Sequence, residues 1–486
     1  MPSYKKVPEI DLGQFNLKGT FMKLSHNPIL NTDSYKCSMF LQMPPGTTGV
    51  YSYIESRGGR YDRTVFFGLQ AFIKEYLLTP IEQRDIDLAE EILTAHGEPF
   101  NRAGWQYILD KHGGYLPVVI RAVPEGTVVP VKHVLATIEN TDPECFWLTT
   151  WLETALLRAI WYPTTVATQS WHIKQLILDY LEKTGDPTLI DFKLHDFGAR
   201  GVSSLESAEI GGAAHLVNFM GTDTISGILC AREYYGAGVS GFSIPAAEHS
   251  TITSWGRDGE VKAYENMLNQ FARPGSILAV VSDSYDIFNA AANLWGEALR
   301  QRVIDSGATL VIRPDSGDPV EVNTKLVRIL NDKFGSTVNA KGFRVLNNVR
   351  IIQGDGVNEL TIRSILGNFM AIGYSADNIA FGMGGALLQQ LDRDTQKFAM
   401  KASAACIDGE WRDISKDPVT DSGKKSKAGR VTLWKSGGEW VSSVNQPTGW
   451  YDRCADDFRE VLEEVYRDGK LVREMTFEEV RANAKR

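Results

Sequence analysis

Several kinds of chemistry are missing from this sequence. Its five cysteines, Cys37, Cys145, Cys230, Cys406 and Cys454, are odd in number, widely spaced and never form a C-x-x-C pair. That argues against a zinc site or a disulfide framework and fits a reducing compartment. No stretch approaches the roughly 18 apolar residues of a spanning helix. The opening MPSYKKVPEIDLGQFNLKG lacks the apolar core of a secretory leader. A cytoplasmic protein that meets no membrane is expected. Positive charge is the scarcer sign, with 51 Lys and Arg against 60 Asp and Glu. Nucleic-acid binding, which needs a basic face, is therefore not expected, although local basic pockets for phosphates stay compatible. No G-x-x-x-x-G-K-[ST], G-x-S-x-G or H-E-x-x-H occurs. A P-loop, a nucleophile elbow and a zinc-hydrolase helix are thereby set aside.

What remains is ordinary globular material, 43% hydrophobic and 23% charged. Its 486 residues suit two or three domains, or one large barrel plus a second unit. In the first part, PVVIRAV (117–123) and the alternating stretch 128–138 predict strands. The apolar segment 144–160 has helical length, so an α+β unit is expected there. From about residue 190 a pattern repeats. IDFKLHDFG (190–198), SILAVVSDS (276–284), TLVIRPDSGD (309–318), VRIIQGDG (349–356) and NIAFGMGG (378–385) are short apolar runs ending in polar residues or glycines. Helix-like segments follow three of them, at 285–300, 319–334 and 357–371. Asp318-Pro319 is a good helix start.

Strands alternating with helices imply parallel β/α units. In such barrels the active site lies at the C-terminal strand ends, which here carry Asp283, Arg313, Asp315, Asp355 and Gly384–Gly385. Any one of these loops is more often a plain turn. Four successive ends rich in Asp and Gly point to an anion or sugar site on one face. An open doubly wound sheet also places ligands at strand ends, so the pattern alone leaves both architectures open. His195, in KLHDFGARG, and His249, in SIPAAEHSTITSWG, stand in polar contexts. His215, in AAHLVNF, reads as structural. A carboxylate next to His249, such as Glu248, can hold one ring nitrogen and activate the other. Lys424, Lys425, Lys427 and Arg430 read as a solvated basic hairpin tip. Arg467–Lys470 reads as a hairpin turn, and Thr476 with Glu479 as a capping box.

Longer motifs carry a resemblance. TDSYK (32–36), VYSYIESRG (50–58), NTDPECFWLTTWLET (140–154), KLHDFGARGVSSLE (193–206), NFMGTDT (218–224), SIPAAEHSTIT (243–253), VVSDSYDIFNA (280–290), IRPDSGDP (312–319), IIQGDGV (351–357) and NIAFGMGG (378–385) span nearly the whole chain. In sequence and order they resemble the nicotinamide phosphoribosyltransferases, of the type II phosphoribosyltransferase family.

The resemblance implies an α/β fold: an irregular β/α barrel over 181–399 joined to an α+β domain built from 1–180 and 400–486. It also implies a homodimer with shared active sites. Nicotinamide and phosphoribosyl pyrophosphate would give nicotinamide mononucleotide and pyrophosphate, for NAD salvage. Mg2+ would assist, and ATP would be a co-substrate, hydrolysed through a phosphohistidine. By the same resemblance, Phe197 and the neighbouring subunit's Tyr35 sandwich the pyridine ring, a contact suited to stacking. Asp223 accepts the carboxamide NH2 and Arg313 contacts its oxygen. Asp33 and Ser243 are further substrate contacts. Asp315, Gly354 and Asp355 line the ribose region, and Gly384 and Gly385 bring backbone N–H groups to the 5′-phosphate. Arg200 lies near the phosphates, while Arg57, Arg393, Lys401 and Lys416 form the basic lining for pyrophosphate and ATP. His249 becomes phosphorylated, oriented by Asp283 with Glu248 nearby.

Ala199, Met383, Ala386 and Ile244 depart from the familiar pattern, which bears on affinity and inhibitor sensitivity and not on reaction type. Two alternatives stand beside this reading. A nicotinate phosphoribosyltransferase would have to accept a carboxylate that Asp223 repels. A non-catalytic nucleotide-binding protein would have no need of His249, Asp283 and the basic lining.

Overall fold

A computed structural model describes residues 27–420, 425–445 and 458–485; Cys454 and Lys424 lie outside them. Two sheets organise the chain. The larger has seven strands in the order Glu410–Asp413, Phe398–Ile407, Thr47–Ser56, Val134–Asn140, Val118–Ala122, Glu463–Arg467 and Lys470–Leu471. Every pairing is antiparallel, and the strands come from early and late parts of the chain. The stretch 128–138 is not one strand. It splits into Val128–Pro130 and Val134–Asn140, because Lys132 takes a left-handed φ of 70° that breaks the extended run. Asp468 (φ 48°) and Gly469 (φ 82°) make the expected tight hairpin.

The second sheet is parallel, in the order Gly221–Thr222, Leu194–Asp196, Ile379–Met383, Val349–Gln353, Thr309–Arg313 and Ile277–Val281. The segment 242–247 bridges its two edges, pairing Phe242 with Gly221 and Ala246 with Ala279. Phe242 N–H donates to Met220 O at 2.8 Å, and Ala279 N–H to Pro245 O at 2.9 Å. The sheet thus curls into an irregular barrel. A small apolar plug of Ala279, Val311 and Ile352, with Phe197, Ile244 and Ala380 against it, packs together as a separate cluster. Helices Pro319–Phe334 and Glu359–Ala371 cover the barrel with Leu326, Val327, Leu330, Ile362, Ile365 and Phe369. Asp318 caps the first of them, accepting from Val320 and Glu321 N–H at 2.9 Å. The expected helix 285–300 is present, beginning as an α-helical turn, Ile287–Asn289, and widening into π-helical Ala290–Ala298. Within the wider coil sits buried Trp295, whose Nε1–H donates to Ser282 Oγ at 3.0 Å.

The predicted helix 144–160 is part of a longer device. After two short turns, helix Glu153–Thr184 runs straight through Pro163, where a proline would ordinarily break it. Gly68 makes room, since a Cβ there would lie 2.4 Å from Pro163 Cγ. Leu156 and Ile160 of this helix belong to the core beneath the antiparallel sheet, while Val166, Ile173 and Leu181 belong to the barrel's core. The terminal helix Phe477–Ala484, closed by the Thr476–Glu479 capping box, also packs on the barrel. No helix of the described residues is long and apolar enough to cross a membrane.

Candidate active site

Each parallel strand delivers a residue to one rim of the barrel: Phe197, Asp223 and Gly384 follow directly on strand ends, and Asp283, Asp315 and Asp355 stand one residue further on. The Arg313 guanidinium holds Asp315 Oδ1 through Nη2 (2.8 Å) and Nε (3.2 Å), and its Cζ stands 5.5 Å from the Phe197 ring centroid. Two glycines permit this crowding. A Cβ on Gly382 would come within 1.9 Å of the Phe197 ring, and one on Gly354 within 3.1 Å of Asp315 Oδ1. The turn of Arg200, itself exposed, lies against the glycine loop, where a Cβ on Gly201 would be 3.3 Å from Gly385 Cα. Nothing lies within 4 Å of a Cβ at Gly385, so the loop is open to a ligand.

His249 opens the short helix His249–Thr253. Its Nε2 meets Asp283 Oδ1 at 2.9 Å, and its Nδ1 stands 3.9 Å from Asp315 Oδ2. Asp283 is buried and fixed in turn: its Oδ2 accepts from Asp315 N–H at 3.0 Å and Ser316 Oγ at 2.5 Å. Glu248, expected close to the histidine as a charge partner, instead forms a capping box with Thr251 at the helix start. The ring's hydrogen-bonded carboxylate is thus Asp283, far away in sequence. His215 has the structural role expected, buried between Ser170 Oγ and Gly221 O. Burial pushes its pKa down to about 3, so it stays neutral.

Asp223 is the electrostatic centre of the other half of the rim. Its Oδ1 accepts from Ser243 Oγ at 2.6 Å and meets His195 Nε2 at 3.1 Å. Burial alone would raise its pKa, but the bonds from His195 and Ser243 and the charges of His195 and Arg313 leave it below the usual carboxylate value. Asp196 behaves oppositely. Fully buried below the rim, it is pushed up to about 6 by desolvation.

The remaining expected site residues assemble elsewhere. Arg57, Lys401 and Lys416 meet on the antiparallel sheet, where Tyr53 pairs with Lys401. Burial lowers the Lys401 pKa, Glu153 opposes that, and Arg57, Lys416 and Lys36 lower it further. Arg57 Nε donates to Glu55 Oε1 at 3.0 Å, whereas its Nη2 is buried with no hydrogen-bond partner among the described residues. Asp33 accepts from Thr154 Oγ1 at 2.6 Å, next to Glu153, and Tyr35 is 58% exposed. Arg393 lies in the turn Arg393–Thr395, and a Cβ on nearby Gly59 would strike Thr395 O. No hydrogen bond, ion pair or ring contact among the described residues joins this basic face to the barrel rim. Sequence reading missed Lys36, which ion-pairs with Glu153, and Lys427, which ion-pairs with Glu55. Lys427 is therefore docked on the sheet and is not part of a solvated tip; Lys425, paired with Asp417, remains exposed. The only signal for Lys36 was its place inside TDSYK.

Comparison with known proteins agrees with this architecture. Residues 192–470 match the model of the nicotinate phosphoribosyltransferase (NAPRTase) family, and residues 27–120 that of the nicotinamide phosphoribosyltransferase N-terminal domain. A nicotinamide phosphoribosyltransferase of Xanthomonas campestris pv. campestris is 58% identical, over 94% of this chain and 98% of that protein. One from Acinetobacter baylyi is 32% identical, over 95% and 97%. Among solved structures, Pyrococcus furiosus nicotinate-nucleotide pyrophosphorylase has a TM-score of 0.63 at 17% identity, covering 96% of each chain. Human nicotinic acid phosphoribosyltransferase has a TM-score of 0.53 at 16% identity, covering 93% of this chain and 92% of that one. These two likenesses speak for the fold. With the N-terminal domain matched as well, and two such relatives covered almost end to end, the chain belongs to the nicotinamide phosphoribosyltransferase family.

Proposed function

We propose that the protein transfers the phosphoribosyl group of phosphoribosyl pyrophosphate to nicotinamide, releasing pyrophosphate, as a step of NAD salvage. The pyridine nitrogen attacks the anomeric carbon while the bond to pyrophosphate breaks and its electron pair leaves with that group. The carrying observation is Asp223, an acceptor whose pKa is held down, on the same rim as Phe197. It suits an amide N–H donor and repels a carboxylate, which favours nicotinamide over nicotinate. Phe197 stacks on the base, Arg313 donates to the amide oxygen, and the open Gly384–Gly385 loop takes the 5′-phosphate.

The donors present fit Mg2+. Asp355 is exposed, with a carboxylate that has no partner among the described residues, and Asp315 stands on the adjoining strand end. One or two carboxylates plus substrate phosphates are the usual magnesium environment. Asp315 and Asp355 would hold the ion, which supplies charge neutralisation for the leaving group. His249 receives the γ-phosphoryl group of ATP: a ring nitrogen bonds phosphorus, the bond to ADP breaks, and water later cleaves the phosphohistidine. Asp283 orients the ring. The basic face completes the site across a homodimer, with Tyr35, Asp33, Arg57, Arg393, Lys401 and Lys416 reaching the neighbour's rim. Supporting this are the exposure of Tyr35 and the fact that, among the described residues, no hydrogen bond, ion pair or ring contact joins these side chains to the rim of their own chain.

The deciding experiment measures pyrophosphate release with nicotinamide, with nicotinate and with no base. Release that depends on nicotinamide is expected. Preference for nicotinate, or no release with either base, overturns the reading.

A further inference from the structure

His195 belongs to none of the roles above, yet its surroundings are built for it. The imidazole lies against Gly221, where a Cβ would come within 2.6 Å of Nδ1. Glycine at 221 is therefore a condition of the ring's placement. The ring centroid stands 5.3 Å from that of Phe197, and Nε2 reaches Asp223 Oδ1 at 3.1 Å. His195 thus fixes the spacing between the stacking ring and the acceptor. His215, with both nitrogens engaged inside the core, shows what a purely structural histidine looks like in this fold. Only 13% of the His195 side chain is exposed, against 50% of Asp223.

The hydrogen bonds divide the Asp223 carboxylate into two unlike oxygens. His195 and Ser243 both address Oδ1, while Oδ2 has no partner among the described residues. A carboxylate held by two donors on one oxygen cannot rotate freely, and its other oxygen presents lone pairs in a set direction. We propose that His195 is a positioning residue for specificity, orienting Asp223 so that Oδ2 accepts a carboxamide N–H and rejects a carboxylate. This rests on the assignment of Asp223 as the amide acceptor. Loss of the His195 bond frees the carboxylate to turn and removes a contact that favours its ionised form. The groups facing Asp223 are His195 and Asp196 on one strand, Ser243 on the bridging segment and Arg313 on the strand Thr309–Arg313.

Four variants of the full-length enzyme test this, each with kcat and KM for nicotinamide and nicotinate across pH. His195→Ala should raise the nicotinamide KM about tenfold with a smaller change in kcat, and lower the nicotinamide-to-nicotinate ratio of kcat/KM by a similar factor. The acid limb of the nicotinamide profile should move to higher pH, because Asp223 must be ionised to accept and is then protonated more readily. His195→Gln places an amide nitrogen near the position of Nε2 and should restore most of the ratio and the limb. Ser243→Ala removes the other donor and should shift both in the same direction, by less. If His195→Ala does not fold, the glutamine and Ser243 variants decide. The proposal falls if His195→Ala leaves ratio and limb unchanged, or if His195→Gln behaves like alanine. Asp223→Asn separates the two levels. If it leaves the ratio unchanged, the acceptor assignment itself fails; if it alone moves the ratio, only the role of His195 fails.

Discussion

The barrel rim and the basic face of the antiparallel sheet handle charge in opposite ways. On the rim nearly every charged group is answered at close range: Arg313 by Asp315, His249 by Asp283, His195 by Asp223. On the basic face Glu55 is shared by Arg57 and Lys427, and Glu153 by Lys36 and Lys401, with Lys416 adding a further cation. Arg57 keeps a buried donor with no hydrogen-bond partner among the described residues, and its neighbours help to hold Lys401 below its usual pKa. A prearranged rim suits a neutral base whose orientation must be fixed before reaction. An under-neutralised cation cluster suits a polyanion that arrives with its own charge. On the proposed reading, one region is prearranged before its ligand arrives, and the other would be stabilised by it.

The most severe test of this contrast acts on the rim. His249→Ala should abolish ATP hydrolysis and the acid-labile phosphoprotein altogether. Slow nicotinamide mononucleotide formation should persist, because on the proposed reading the leaving group would still meet the basic face and magnesium. Labelling from γ-phosphate-labelled ATP decides it. Undiminished acid-labile label in the variant removes His249 as acceptor.

Next in size is the joining of the two regions. Tyr35→Ala and Asp223→Ala should each be inactive alone. If Tyr35 serves the neighbour's rim, a mixed dimer gathers both lesions at one site and leaves the other clean. Half the dimers in an equal random mixture are mixed, each with one working site of two, so roughly a quarter of wild-type activity should return. Verified subunit exchange without recovery would place Tyr35 in its own chain's packing.

The two regions were not equally legible in sequence. The strands over 277–281, 309–313, 349–353 and 379–383 announce themselves as apolar runs, and helix 319–334 is bounded as its Asp-Pro start predicts. The rim residues follow because a strand end is a local feature. The basic face has no such signature: Arg57 follows the strand Thr47–Ser56 and Lys401 lies on its neighbour Phe398–Ile407, from opposite parts of the chain, so only registry brings them together. Other failures have the same cause. Gly221–Thr222 is too short to show periodicity, and the barrel-closing segment 242–247 is held by isolated bridges; Asp283, 34 positions from the histidine it contacts, is expected there through the resemblance and not through spacing. Pro163 misleads because the groove at Gly68 that admits it is a tertiary feature.

A smaller effect distinguishes the regions through binding rather than turnover. Pyrophosphate at about a hundred times its dissociation constant should raise unfolding free energy by about 2.7 kcal/mol. If the cations of the basic face provide that stabilisation, Arg57→Ala or Lys416→Ala should reduce it, and added salt should weaken it. Nicotinamide stabilisation should change little with either substitution. Equal losses for both ligands would mean that the regions do not divide the substrate between them.

The smallest effect concerns a carboxylate buried just below the rim. Asp196 is buried; its Oδ1 accepts from Gly198 N–H at 2.7 Å and its Oδ2 has no hydrogen-bond partner among the described residues. Desolvation raises its pKa from 3.8 to about 6. A folded-state value above the unfolded one means that the native protein binds this proton more tightly. The ionised carboxylate therefore weakens the fold above pH 6, and stability recovers as pH falls from about 6 to about 4. Asparagine keeps the acceptor for Gly198, and its amide faces Thr224 Oγ1, a neighbour whose oxygen is also unsatisfied. At pH 7.5 Asp196→Asn should be more stable than wild type by about 2 kcal/mol, below the roughly 3 kcal/mol of the full shift because the new amide is buried. Near pH 4.5 the difference should shrink toward zero. Urea unfolding at several pH values measures it directly. A difference that stays constant from pH 4.5 to 7.5 would mean that Asp196 does not titrate in that window.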